Sequence, residues 1–173
     1  KIEFNIQNIH TLIDYEKAYK YLNERIQVNS NDEQAFINLG RLCSKFKYYN
    51  KAKQYLINAL NIVPNNSVTH HLLGIINSKL RYFHESIFHF KQAITINQNS
   101  IESLYCLGNL HLRLNQFFEA EKVLLKASNF NNNYSDIFNS LGIAQKNQYK
   151  YDLAINNFNK AIILNANNSD YYF

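Results

Sequence analysis

Apolar residues recur along the chain at the spacing of one face of a helix. Between Glu33 and Asn66, two runs fall at i, i+3, i+4 and i+7 type spacing, which is typical of amphipathic helices. The first run is Phe36, Leu39, Leu42 and Phe46, and the second is Ala52, Tyr55, Leu56, Ala59 and Leu60. Ser30 with Glu33 predicts a capping box before the first helix. Pro64 predicts the end of the second helix, and the Asn-Ser that follows it predicts the next N-cap.

The dipeptide Leu-Gly occurs four times, with successive glycines 34 residues apart. These glycines are Gly40, Gly74, Gly108 and Gly142, and the chain has no others. Small residues follow each glycine at fixed distances, namely Ala52, Ser86, Ala120 and Ala154, then Ala59, Ala93, Ala127 and Ala161. Because Gly costs about 1 kcal/mol against Ala inside a helix, this pattern predicts a second backbone too close for a Cβ. We therefore expect one tightly packed helix pair per repeat.

The spacing resembles the tetratricopeptide repeat (TPR), a helix-turn-helix unit of 34 residues. The resemblance rests on Leu-Gly with an aromatic before it and Ala, Phe and Ala after it, as in Phe138, Leu141-Gly142, Ala154, Phe158 and Ala161. It implies an all-α fold, an α-solenoid of stacked antiparallel helix pairs in a right-handed TPR superhelix. The chain departs from the family where Tyr often follows Gly by three residues, with Cys43, Asn77, His111 and Gln145.

The register divides the chain into five repeats. Residues 1–32 form a degenerate N-terminal repeat, with a first helix expected near residues 2–12. Four repeats follow at residues 33–66, 67–100, 101–134 and 135–168, and residues 169–173 resemble the start of a further helix. Because the chain begins at Lys1 and contains no Met, we expect it to be a fragment of a longer array. Its exposed C-terminal edge is expected to self-associate weakly.

The resemblance also implies a concave groove lined by the first helix of each repeat. Three residues before each Gly stand Ile37, His71, Tyr105 and Asn139; one after it stand Arg41, Ile75, Asn109 and Ile143. Lys45, Lys79, Arg113 and Lys146 form a basic line along one rim. An apolar and aromatic middle beside a basic rim fits an acidic peptide or helix with apolar anchors.

Composition favours a cytoplasmic protein without a cofactor. The sequence contains no apolar run of about 18 residues that would span a bilayer, and no basic-then-apolar leader. Two cysteines in helix interiors argue against a disulfide framework. Four glycines, all inside predicted helices, leave none for a phosphate-binding loop. No His-x-x-x-His or Cys-x-x-Cys occurs, so neither a metal site nor an enzyme activity is predicted.

Three functions remain open at this point. The first is a protein-interaction scaffold within a larger intracellular assembly. The second is an RNA-binding helical-repeat protein, which the net charge of +5 and the many Tyr and Phe side chains would suit. Acidic residues interrupt the positive charge, so nucleic acid is the less expected partner. The third is the TPR arm of an enzyme whose catalytic domain lies elsewhere.

Overall fold

The protein is built from helices that divide into two compact units. The computed structural model describes residue 6, residues 9–131 and residues 133–166, and within them the chain forms nine α-helices and no strand. The helices are α1 (Leu12–Val28), α2 (Glu33–Lys45), α3 (Tyr49–Ile62), α4 (Ser67–Lys79), α5 (Phe83–Ile96), α6 (Ile101–Arg113), α7 (Phe117–Phe130), α8 (Ser135–Lys146) and α9 (Tyr151–Ala166). The first unit ends at Ile96 and contains α1 to α5, and the second contains α6 to α9. The predicted all-α class is confirmed.

Two predicted helices fall mainly outside this description. The one expected near residues 2–12 lies largely outside the described residues, and the described residues 9–11 are not helical. The further helix expected at residues 169–173 lies outside them altogether.

Each glycine lies on the first helix of a pair and faces a large side chain of the second. An ideal Cβ on Gly74 would lie 2.6 Å from Cδ1 and Cε1 of Phe90, and one on Gly108 would lie 2.5 Å from Cγ of Leu124. Carbon atoms pack best at about 3.5–4.0 Å, so the predicted close approach is confirmed. The expectation of a backbone neighbour is wrong, because a Leu or Phe side chain fills the gap between the helices.

The small residues let the paired helices approach elsewhere along their length. Ala52, Ala59, Ala93 and Ala127 are completely buried. At Ser86, the Oγ hydroxyl donates a hydrogen bond of 2.7 Å to the carbonyl oxygen of Gly74 on the facing helix. A small residue therefore serves each contact, and the one hydroxyl among them is satisfied by backbone.

Short polar side chains cap the first helices of two repeats, α2 and α4. Asn66 caps α4 by accepting a 3.0 Å hydrogen bond from the backbone N–H of Thr69, as the Asn-Ser pattern predicts. The capping box expected at Ser30 is wrong. Asp32 caps α2 instead, with Oδ1 accepting from Ala35 N–H at 3.0 Å, and its Oδ2 lies 2.6 Å from Nη2 of Arg25. The aspartate is one residue from the helix, where its carboxylate reaches the free N–H groups of the first turn.

The turns between paired helices share one backbone conformation. After α4, Arg81 has a φ of 66°, its N–H donates to Ser78 O, and Tyr82 N–H donates to Asn77 O. This is the Schellman arrangement, which usually has Gly in the left-handed position. In the part of the chain that the structure describes, the left-handed residues are Lys47, Arg81, Asn115 and Tyr149, with φ between 57° and 66°.

A buried polar cluster joins α7, α8 and the turn after α8. Glu121 is 7% exposed and accepts hydrogen bonds from Gln145 (3.1 Å), Gln148 (2.9 Å) and Lys150 (2.6 Å). Burial by itself would raise the pKa of Glu121, but these donors outweigh burial and lower it. Gln145 stands where the family often has Tyr, and its hydrogen bond to Glu121 fixes α8 to α7.

Candidate functional site

A groove opens on the first helices of the first unit. Its volume is about 930 Å³, within the usual range for a ligand site. We call it the first-unit groove, and its lining residues are Ile6, Asn38, Gly40, Arg41, Ser44, Lys45, Leu56, His71, Leu72, Ile75 and Ile76. It includes four residues that the sequence places in a binding surface.

Helical spacing positions these four side chains. Arg41 and Lys45 are four residues apart on α2, and His71 and Ile75 are four residues apart on α4, so each pair shares one helix face. Gly40 brings no side chain into the groove. Helix α2 therefore contributes two cations to the lining, and α4 contributes an imidazole and an aliphatic side chain.

The lining residues that the structure describes carry positive charge. Arg41 and Lys45 are both exposed, and none of the described lining residues is acidic. Lys45 Nζ donates a 3.1 Å hydrogen bond to the backbone carbonyl of Ile6, which holds the ammonium group at the groove edge. A partly enclosed surface of one sign attracts ligands of the opposite sign.

The apolar part of the groove is formed by α4 and α3. Ile75 and Leu72 are half-buried, Ile76 is buried, and Leu56 contributes from α3. The ring of His71 lies 5.9 Å from that of Phe90, between centroids. The half-buried members, Leu72 and Ile75, form an apolar surface that an aliphatic or aromatic side chain of a ligand would cover.

Two predicted residues of the first unit lie elsewhere. Ile37 is 3% exposed and packs in a core cluster with Phe36 and Ala59. It does not line the groove, so the interpretation of this position as a groove residue needs correction. Lys79 is exposed on α4, one turn beyond Ile75, and is also absent from the lining.

The lining includes further residues, of which the repeat register predicts only Ser44 as a groove position. Asn38, Ser44, Leu72 and Ile76 are next to predicted residues in the sequence. The available signal was their position within one turn of Arg41 or Ile75 on the same helices. Asn38 Oδ1 accepts a 3.2 Å hydrogen bond from Gln34 Nε2, which orients its amide.

The other predicted residues lie in the second unit. Tyr105 is half-buried, with its ring edge-on to Tyr134 at 5.6 Å between centroids. Asn109 on α6 accepts a 2.8 Å hydrogen bond from Ser140 Oγ on α8, which ties these two first helices together. Ile143 is half-buried, and the exposed residues are Arg113, Asn139 and Lys146.

The cysteines and metal-ligating groups do not form a reactive centre in the described part of the chain. Burial raises the pKa of Cys43, and burial together with Glu102 raises that of Cys106 to about 11, so both thiols are protonated at neutral pH. Among the described residues, no three His, Cys, Asp or Glu side chains come together as metal ligands. No helix within those residues has the length and apolar character needed to cross a bilayer.

Comparisons with known proteins agree on one type of fold. Family models described as tetratricopeptide repeat match residues 33–66, 68–100 and 89–122. Among solved structures, the chain is similar to MamA, with a TM-score of 0.86 at 17% identity over 96% of this chain and 97% of that one. It is also similar to YrrB, described as a TPR protein with an unusual peptide-binding site, with a TM-score of 0.77 at 18% identity over 91% and 81%.

A third similar structure is MamA from Desulfovibrio magneticus RS-1, from residue 41 of that protein to its end. Its TM-score is 0.83 at 17% identity over 90% of this chain and 88% of that one. At such identities the likeness shows the fold. No curated protein matches the sequence.

Proposed function

This chain belongs to the tetratricopeptide repeat family, and from that premise we propose that it is a non-enzymatic scaffold for protein–protein interaction. It binds a peptide or a helix of a partner protein in the first-unit groove, within a larger assembly. The observation that supports this proposal is the convergence of Arg41, Lys45, His71 and Ile75 on one groove. The cytoplasmic location stays a prediction from the sequence.

The lining chemistry supports a partner with an apolar anchor beside acidic residues. An aliphatic or aromatic anchor covers Leu72 and Ile75, and its burial contributes about 1.5–3 kcal/mol. Carboxylates next to the anchor face Arg41 and Lys45. Because those cations are exposed, they contribute mainly to the association rate and to discrimination against basic peptides.

The similarity to YrrB adds support of a general kind, since a peptide-binding site is described for that protein of the same fold. For the second unit we propose a binding surface of its own, formed by six residues of α6 and α8. These are Tyr105, Asn109, Arg113, Asn139, Ile143 and Lys146. Ile37 is left out because its side chain is buried.

Fluorescence anisotropy with two matched peptide libraries tests the proposal. One library combines Leu and Phe anchors with Glu and Asp, and the other has Lys in place of every acidic residue. We expect binding from the acidic library only, and a Kd raised about tenfold or more, equal to about 1.4 kcal/mol, by Arg41→Glu or by Ile75→Ala. The matched control is Lys91→Glu, an exposed position on α5 outside the groove.

Three results would contradict the proposal. They are equal binding of both libraries, an unchanged Kd in Arg41→Glu, and an equal loss of binding in Lys91→Glu. The same instrument tests the RNA-binding alternative with a labelled single-stranded RNA. An affinity that falls steeply with salt would favour that alternative.

A further inference from the structure

Two histidines occupy positions that two other repeats of this chain fill with aromatic or aliphatic side chains. His70 lies four residues before Gly74, and His89 lies fifteen after it. The corresponding pair is Phe36 and Tyr55 on α2 and α3, with ring centroids 6.4 Å apart, and Leu104 with Val123 on α6 and α7. The packing of a helix pair therefore does not require imidazoles here.

The two imidazoles hydrogen-bond directly to each other. Nδ1 of His70 lies 3.0 Å from Nδ1 of His89, and the ring centroids are 5.2 Å apart. The centroid separation is close to the Nδ1 separation plus the two ring radii, so the rings point at each other along nearly one line. This geometry suits a shared proton, whereas a metal ion would need both rings to converge on a third point.

A backbone carbonyl fixes the protonation of the pair. Nε2 of His70 lies 3.1 Å from the carbonyl oxygen of Pro64. A carbonyl oxygen only accepts, so this Nε2 carries a proton, and Nδ1 of neutral His70 must be an acceptor. The hydrogen between the rings therefore belongs to Nδ1 of His89.

The surroundings disfavour positive charge on the pair. His70 is 8% exposed and His89 is half-buried. Burial, the proximity of His70 and the Lys53 ammonium group on α3 lower the pKa of His89 to about 4, although Glu85 on α5 acts in the opposite direction. Burial also lowers the pKa of His70, against the effect of the Pro64 carbonyl. At the nearby N-cap of α4, Asn66 donates a hydrogen bond to the Glu33 carboxylate on α2.

One added proton is compatible with this geometry. His70 takes it on Nδ1 and donates to His89, which then carries its own proton on Nε2, and the bond to Pro64 is kept. A second proton places N–H groups and like charges face to face at 3.0 Å, a separation that two imidazolium rings cannot keep.

We propose that the His70–His89 pair is an acid-sensitive joint, which holds α4, α5 and the Pro64 turn together while it carries no more than one added proton and releases them when both rings are charged. The inference goes beyond the proposed function and does not depend on it. Because the folded pKa of His89 is below the unfolded value of 6.5, the folded state binds fewer protons. Stability is therefore present above pH 6.5 and is lost progressively as the pH falls towards about 4.

Two measurements on the full chain test the joint. Long-range ¹H–¹⁵N spectra of the imidazoles at pH 7 report the tautomers, and we expect Nε2–H for His70 and the less common Nδ1–H for His89. Urea denaturation from pH 7 to pH 4 then compares the wild type with His70→Leu/His89→Val, which copies the apolar pair of α6 and α7. Relative to this variant, the folding equilibrium constant of the wild type should fall roughly 10- to 100-fold, after allowance for the partial exposure of His89.

The proposal is refuted if His89 is the Nε2–H tautomer at pH 7. It is also refuted if His70→Leu/His89→Val loses stability with falling pH as steeply as the wild type does. Should the double variant fail to fold, the tautomers and the imidazole titrations of the wild type decide. A pKa near 6.5 for both rings would then refute the inference.

Discussion

Replacement of Arg81 by Gly should stabilise the protein, although Gly normally weakens a helical region. Arg81 has a φ of 66° in the turn between α4 and α5. A residue with a Cβ pays about 1–2 kcal/mol in this left-handed region, and Gly does not. Gly loses more backbone freedom on folding, which offsets about 0.5–1 kcal/mol of that gain. We therefore expect Arg81→Gly to stabilise by about 0.5–1 kcal/mol.

The hydrogen bonds of the turn are unaffected by this substitution. Arg81 N–H donates to Ser78 O at 3.2 Å and Tyr82 N–H donates to Asn77 O at 2.8 Å, and both use only backbone atoms. The Arg81 side chain is exposed. Asn115 has the same role in its own turn, but because Asn tolerates the left-handed region, Asn115→Gly should change stability less than Arg81→Gly.

Urea denaturation measures the effect as a rise in the transition midpoint at an unchanged slope. Two controls isolate the backbone as the cause. Arg81→Ala removes the same side chain but keeps the Cβ, and should give no comparable gain. Lys91→Gly, at an exposed position inside α5, should cost about 1 kcal/mol. The reasoning is refuted if Arg81→Ala stabilises as much as Arg81→Gly, or if Arg81→Gly destabilises like Lys91→Gly.

Three further predictions address packing, the polar cluster and the last helix. Gly74→Leu should cost about 1–3 kcal/mol by overpacking against Phe90, and an unchanged urea midpoint would disprove the close contact. Glu121→Ala should cost about 1–3 kcal/mol at pH 7, because it leaves the buried amide of Gln145 without its acceptor. The pKa of Glu121 is lowered in the folded state. In urea titrations, the difference in unfolding free energy between wild type and Glu121→Ala should therefore disappear as the pH falls through that pKa. Ile155 and Ile162 of α9 are 55% and 64% exposed, so the wild type should self-associate weakly in sedimentation velocity runs. Lys at both positions should abolish the self-association. A wild type that stays monomeric at high concentration would refute this prediction.

Local chemistry accounts for the features that the sequence predicts correctly. Helix pairs follow from apolar spacing, and the close contacts follow from Gly74 and its counterparts, because a missing Cβ is useful only where another group takes its place. Asn66 is recognisable as a cap since its side chain bonds to a backbone N–H three residues away. The left-handed turns escaped prediction because Lys47, Arg81 and Tyr149 are not residues that favour that conformation.

The candidate site is less predictable because burial depends on neighbours that are distant in sequence. Ile37 and Asn139 hold the same repeat position, yet Ile37 is buried against Ala59 while Asn139 is exposed. The family resemblance gave both the same role. Similarly, only the structure shows that Arg41 and Ile75 line one groove and that Lys79 does not.

The sequence by itself determined the period, the pairing of helices and the family, because each depends on residue spacing along the chain. The tertiary structure decided what fills the space beside each glycine, which of the predicted side chains share a groove, and that the rings of His70 and His89 lie within hydrogen-bond distance. Spacing within a helix sets the direction of a side chain, but its exposure and its partners depend on the helices packed against it.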